Sequence, residues 1–363
     1  MSRLTNSRTF TAGAMLAVSA LALAGCSAAE STEDDGTIDV VASTIVYGDI
    51  ASTIGGDAVT VTSLIDNPAQ DPHSYEASAR DQLAVSEADL VILNGGGYDP
   101  FAEALYEAAG SQAHLINAVE ASGLLEEGED DHDHADEDEH ADEDEHADED
   151  DHADEDDHAD EDEHADEDEH ADEDEHADED EHEGHDHIEG FNEHIWYSFH
   201  AIEHVAEHIA EELAELSPEN SDAFEANLES FLTDLEGLEE QADSIAETAE
   251  GQGAAVTEPV AVYLLEAVGL HDDTSSDFTE AIEEGADVPP AALLEVLELI
   301  ESGHAALLAY NEQTASPETE RVREAAEEAG LPVVSFTETL PEGADYIEWM
   351  SSNLDALAVV LVP

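Results

Sequence analysis

Apolar positions along the chain follow two alternating rhythms. Short runs rich in β-branched residues, 38–42 and 59–65, predict strands. Residues 89–94 (Asp-Leu-Val-Ile-Leu-Asn) are almost continuously apolar and end at Gly95-Gly96-Gly97, the pattern of a strand buried on both faces of a parallel sheet. Residues 46–54 and 100–109 predict helices between those strands. In 195–216, Ile202, Val205, Ile209, Leu213 and Leu216 recur at three- and four-residue steps and so share one face of a helix. Ser217-Pro218 breaks that helix. A second long one follows over 222–248, with Phe224, Leu228, Phe231, Leu235 and Leu238 on one side. Beyond Gly251-Gln252-Gly253 the alternation returns, with strands at 254–257, 305–309 and 332–336 and helices at 259–268, 290–302, 318–330 and 346–359. The fold class this implies is α/β, with two lobes, each a parallel sheet flanked by helices, joined by one long linking helix.

One segment does not fit either rhythm. Residues 135–182 are eight copies of Ala-Asp-Glu-Asp-Glu/Asp-His, with nothing larger than alanine to bury. Six residues advance a helix by 240°, so the histidines would scatter over three faces instead of lining one. With four acids per unit, repulsion favours an extended, disordered loop. The N-terminus is also set apart. Arg3 and Arg8 precede a short apolar stretch and then Leu23-Ala24-Gly25-Cys26, which suits a lipoprotein signal peptide with Cys26 as the lipidated residue. The expected organisation is a signal peptide at 1–25, a tether at 26–36, the N-lobe at 37–127 and 191–217, the acidic His-rich loop at 128–190, the linking helix at 218–250 and the C-lobe at 251–363. These features point to an extracytoplasmic protein anchored to the outer face of the cell membrane.

Charge narrows the function classes. The chain has 98 acids, five arginines and no lysine, a formal net charge of −93. Such a surface repels phosphate backbones, which excludes nucleic acid as a partner, and attracts cations. Cys26 is the only cysteine, so there is no intrachain disulfide and no cysteine-ligated metal site.

Four segments put a metal-ligating side chain where a strand ends or a helix begins. They are Asp71-Pro72-His73-Ser74-Tyr75-Glu76, Asn192-Glu193-His194-Ile195-Trp196, Thr257-Glu258-Pro259 and Phe336-Thr337-Glu338-Thr339. In parallel α/β folds ligands sit outside the carboxyl ends of strands. In order and local context these segments resemble the four metal-ligand motifs of the zinc/manganese-family substrate-binding proteins of ABC transporters, the cluster A-I or ZnuA/TroA-like group. Glu193 stands where that group usually has proline. Glu258 stands where zinc members usually have histidine and manganese members glutamate. The resemblance covers roughly residues 37–363. It implies that His73 and His194 from the N-lobe and Glu258 and Glu338 from the C-lobe hold one divalent ion in the cleft, that the chain works as a monomer, and that it delivers the ion to an ABC permease and its ATPase. Two imidazoles and two carboxylates neutralise a divalent cation, and mixed N/O donors suit zinc by affinity, with manganese as the alternative and iron last.

The other histidines give weaker expectations. His132, His134, His140, His146, His152, His158, His164, His170, His176, His182, His185 and His187 each sit among carboxylates and form a candidate accessory zinc-gathering tract. His200, His204 and His208 read as a polar helix face. His204-Val205-Ala206-Glu207-His208 matches the H-x-x-E-H spacing of some zinc peptidases, a short motif with no third ligand assigned. No catalytic residue is assigned. A metal-dependent adhesin or a zinc buffer without a transporter remains the competing class.

Overall fold

The computed structural model describes residues 36–67, 70, 72, 75–110, 112–125, 188 and 190–362. The repeat, its flanking histidines up to His187, the leader with Cys26, and His73 lie outside the described residues.

Strand β1 (Ile38–Thr44) is buried at every position but Asp39, because it has a parallel neighbour on each side and helices above and below. β2 (Val59–Ile65) alternates between half-buried and exposed over its first half, as an edge strand should, and β3 (Leu90–Leu93) is wholly buried. With β4 (His114–Asn117) they form a parallel sheet in the order β2-β1-β3-β4. The second sheet repeats that order as β6-β5-β7-β8, from β5 (Gln252–Val256), β6 (Leu270–Asp272), β7 (Ala305–Asn311) and β8 (Val333–Phe336). The helices around the first sheet are α1 (Ile45–Gly55), α2 (Ala79–Glu87), α3 (Pro100–Ala109), the single turn α4 (Ala118–Ala121) and α5 (Phe199–Leu216). Those of the second are α7 (Val262–Ala267), α8 (Ser276–Glu283), α9 (Pro290–Ser302), α10 (Pro317–Ala329) and α11 (Tyr346–Leu361), with α6 (Ser221–Ala249) preceding them.

Helix α6 ties the sheets together. Its buried stripe, Phe224, Phe231, Leu235, Leu238, Ala242, Ile245 and Ala249, steps by three, four or seven residues and stays on one side for the full length. At one end Asn227 Nδ2 donates to the carbonyl of Ile54 in α1, and further along Gln241 Nε2 donates to Asp355 in α11. One apolar core therefore runs unbroken from Val40 through Ile202 and Leu238 to Val256 and Leu354. Two smaller clusters, around Val91 and around Leu308, cover the outer faces of the sheets. Thr37–Pro363 accordingly behaves as one compact unit. Among the described residues no helix is long and apolar enough to cross a membrane.

Two expected helices begin differently. Ile195–Tyr197 is a 3-10 turn, and α5 starts after Ser198, whose side chain accepts from the Ala201 N–H. Ile195, Trp196 and Tyr197 are all buried, so apolar periodicity alone could not find that boundary. Likewise Pro259–Ala261 is a 3-10 turn ahead of α7, with Pro259 at its first position.

Candidate metal centre

The C-lobe side of the cleft is built from three adjacent strand ends. β5 stops at Val256. Thr257 bonds across to β7, its N–H donating to the Ala309 carbonyl and its hydroxyl accepting from the Asn311 N–H. Glu258 then leaves in extended backbone and Pro259 opens the next turn, so the carboxylate projects from the sheet's carboxyl edge. At the end of β8, Glu338 is pinned by its N–H, which donates to Gln313 Oε1, and by a tight turn in which Thr337 donates to the Thr339 carbonyl. Between them β7 ends at Asn311. Its Nδ2 donates both to Glu258 Oε2 (2.5 Å) and to Glu338 Oε1 (2.8 Å). One amide therefore holds two buried carboxylates, at 5 % and 1 % exposure. The Tyr98 hydroxyl, from the loop after β3, donates to Glu338 Oε2 at 3.2 Å.

Opposite, His194 is 1 % exposed between Trp196 and Tyr98, both edge-on, with ring centroids 5.1 and 5.6 Å away. Asn192 sets its tautomer. The Asn192 Nδ2 donates to the Pro259 carbonyl (2.9 Å), which fixes the amide's orientation and turns Oδ1 toward His194. Oδ1 accepts from the His194 N–H (3.1 Å) and lies 2.8 Å from Nδ1. Nδ1 therefore carries the ring hydrogen and Nε2 presents its lone pair, the arrangement a metal-ligating histidine needs. The Nε2 atom points toward α8, where Glu283 Oε1 lies 3.7 Å away. Ligand atoms of Glu193, His194 and Glu283 all fall within 4.8 Å of one another.

Carboxylates dominate the cleft. Burial first, and then the charges of Glu193, Glu258, Glu338 and Glu280, push the Glu283 carboxyl up to about 9. The Tyr98 hydroxyl is likewise raised, by burial and then by Glu338. The acids gathered in the cleft, Glu193, Glu258, Glu283 and Glu338, favour a cation that supplies the missing positive charge.

Three of the four residues expected to bind metal, His194, Glu258 and Glu338, are buried in this cleft, and His73 lies outside the described residues. The structure groups them differently from a single shell. Glu258 and Glu338 meet at Asn311, whereas His194 sits with Glu193 and Glu283. Among the described residues no trio containing His194, Glu258 and Glu338 has its ligand atoms within 4.8 Å.

A family model described as "Zinc-uptake complex component A periplasmic" (ZnuA) matches residues 40–360, nearly the whole chain. The chain belongs to the ZnuA family. The manganese-binding lipoprotein MntA of Halalkalibacterium halodurans is 32 % identical over 114 residues, which is 31 % of this chain and 36 % of that protein. The alignment thus spans about a third of that curated relative. The periplasmic zinc-binding protein TroA of Treponema pallidum superposes with a TM-score of 0.62 at 15 % identity, covering 90 % of this chain and 100 % of TroA. FpvC of Pseudomonas aeruginosa, solved with Mn2+, gives 0.60 at 19 % identity, covering 90 % and 98 %. The expected architecture, two parallel four-stranded sheets flanked by helices, is that of these structures. The family is one of metal-binding substrate-binding proteins of ABC transporters.

In this ZnuA-family chain, sequence reasoning missed Asn311, Tyr98, Asn192 and Glu283. Asn311 had a usable signal, a polar residue closing an apolar strand run, like Glu258 and Glu338. Glu283 had none, for it is one of many acids on an amphipathic segment. The remaining histidines lie elsewhere. His200 and His204 meet edge-to-face on the surface of α5, with ring centroids 4.7 Å apart. His204 and His208 are 40 % and 52 % exposed and pair with Glu207 and Glu211 respectively, as a polar helix face does. His114 contacts Glu212, with Glu215 near enough to complete a surface trio.

Proposed function

We propose that the chain is the lipid-anchored, extracytoplasmic substrate-binding component of a metal ABC importer, with Cys26 as its anchor. It captures one divalent transition ion through His73, His194, Glu258 and Glu338 and hands it to the permease and its ATPase. The observation that carries this reading is the pairing of Glu258 with Glu338 on the Asn311 amide, across from a histidine whose Nε2 lone pair is oriented by Asn192. A cation entering between them replaces the single amide donor with a full positive charge. It draws the carboxylates of the C-lobe and the imidazoles of the N-lobe onto one centre.

Zinc is the favoured ion, because mixed imidazole and carboxylate donors bind it more tightly than manganese. The histidine-rich insertion serves as an accessory zinc-gathering tract. Manganese is the second reading, supported by the acids of the cleft, Glu193 and Glu283 beside His194 and Glu258 and Glu338 at Asn311, which suit a harder ion of higher coordination number. Competitive titration at buffered free zinc and manganese distinguishes them. The zinc reading expects zinc to displace bound manganese at far lower free concentration. His194→Ala and Glu258→Ala are expected to abolish tight binding while the circular-dichroism spectrum stays unchanged. Unaltered affinity in both would refute the assignment.

A further inference from the structure

His194 belongs geometrically to two donor sets, and this inference rests on the cleft reading above. One set is the Glu258–Glu338 pair at Asn311. The other is formed by Glu193, 3 % exposed, and Glu283, whose Oε1 is buried and has no hydrogen-bond donor among the described residues. An imidazole nitrogen and a carboxylate oxygen on one zinc, each about 2.1 Å from the metal, are separated by roughly 3.4 Å in a tetrahedral shell. The 3.7 Å between His194 Nε2 and Glu283 Oε1 is too long for a hydrogen bond and close to that shell edge. Glu283 and Glu193 both line a cavity of about 420 Å³, with Glu280 and Glu284 exposed on its walls. Ile188 and Gly190 line it too, and they are the described residues at the C-terminal end of the histidine-rich insertion.

We propose that Glu193, His194 and Glu283 form a receiving site for a divalent transition-metal ion, from which the ion passes to Glu258 and Glu338 while His194 keeps hold of it. Each set offers two carboxylates, so the charge balance around the ion is the same before and after the move. Retaining His194 means that the ion never loses all its protein ligands at once. The carboxylate pairs exchange in sequence, and Asn311 is displaced only in the second step.

The test is stopped-flow mixing of the full chain with zinc chloride, followed by tryptophan fluorescence, since Trp196 packs against His194. Glu283→Gln keeps the side chain's shape and removes its capacity to ionise and bind a metal as a carboxylate, and Glu193→Gln is the parallel variant. A receiving site lowers the barrier in both directions, so each variant is expected to slow binding and release by the same factor, about tenfold, with Kd unchanged. Unchanged rates in both variants would overturn the proposal. So would faster release with a matching loss of affinity, which would make these residues permanent ligands. Failure of the underlying cleft reading would show separately, as wild-type affinity in Glu258→Gln and Glu338→Gln, whatever the rates in the other two variants.

Discussion

Replacing Glu338 by glutamine separates the stability of the empty cleft from its affinity for metal. Glu338 accepts from Asn311 Nδ2 and from the Tyr98 hydroxyl. Glutamine keeps both bonds, because its carbonyl can accept from Asn311 and the Tyr98 hydroxyl can turn to accept from the new amide. What the substitution removes is charge. Two carboxylate oxygens that share one nitrogen lie at most about 5 Å apart, where like charges repel by about 3 kcal/mol at an effective dielectric constant near 20. Each retained bond loses its charge assistance, at a cost of roughly 1 kcal/mol. The net effect on the metal-free protein is a gain of about 1 kcal/mol, or ~2–4 °C in Tm for a chain of this size. With metal the sign reverses, because a charged ligand has gone. At a thousandfold excess over Kd the wild type gains about 4 kcal/mol from binding, and the variant loses most of that. Scanning calorimetry with chelator and with zinc should give melting curves that cross, with the variant higher without metal and lower with it. A variant that melts lower under chelator, or keeps the wild-type zinc shift, would refute the idea that this cleft stores carboxylate repulsion for a cation to relieve.

Other consequences follow from the same structure. Asp99 is fully buried, accepts from the N–H groups of Asn94 and Gly95, and has its carboxyl raised by burial. The folded state therefore holds this proton after the unfolded chain has lost it. The associated stability is complete below the ordinary carboxyl range and fades as pH climbs through the raised value. Urea unfolding at a series of pH values should show Asp99→Asn gaining on the wild type as pH rises, and parallel profiles would contradict this. Leu235→Ala in the stripe of α6 should cost about 2–5 kcal/mol, read as a lower urea midpoint at an unchanged slope. Deleting residues 131–187 should reduce the number of zinc ions bound while leaving one tight site. A deletion that lost the tight site would move the cargo ion out of the cleft.

Much of this fold could be read in advance because its elements are strongly patterned. The limits of β2, α3 and α9 coincide with the expected 59–65, 100–109 and 290–302, since β2 is a β-branched run ended by Asp66-Asn67 and the two helices each open on a proline and end at a glycine. β4 and β6 went unseen because they are only four and three residues long and include the polar positions His114, Asn117, His271 and Asp272. In the cleft, Glu258 and Glu338 were legible because each closes a strand run, and His194 because it opens the segment leading into α5. Glu283 lies at the end of α8 and reaches the cleft only through the packing of that helix against the second lobe. No local pattern encodes that placement in a chain with 98 acids. The grouping of His194 with Glu193 and Glu283 is likewise a property of tertiary packing.

The most direct test of the account is anomalous diffraction from zinc-loaded crystals at wavelengths either side of the zinc edge. The account predicts one strong peak between the lobes, at bonding distance from His194 Nε2 and from carboxylate oxygens of Glu258 and Glu338, with His73 completing the shell. A cleft without a peak, with zinc found only along the acidic insertion or on surface histidines, would contradict it.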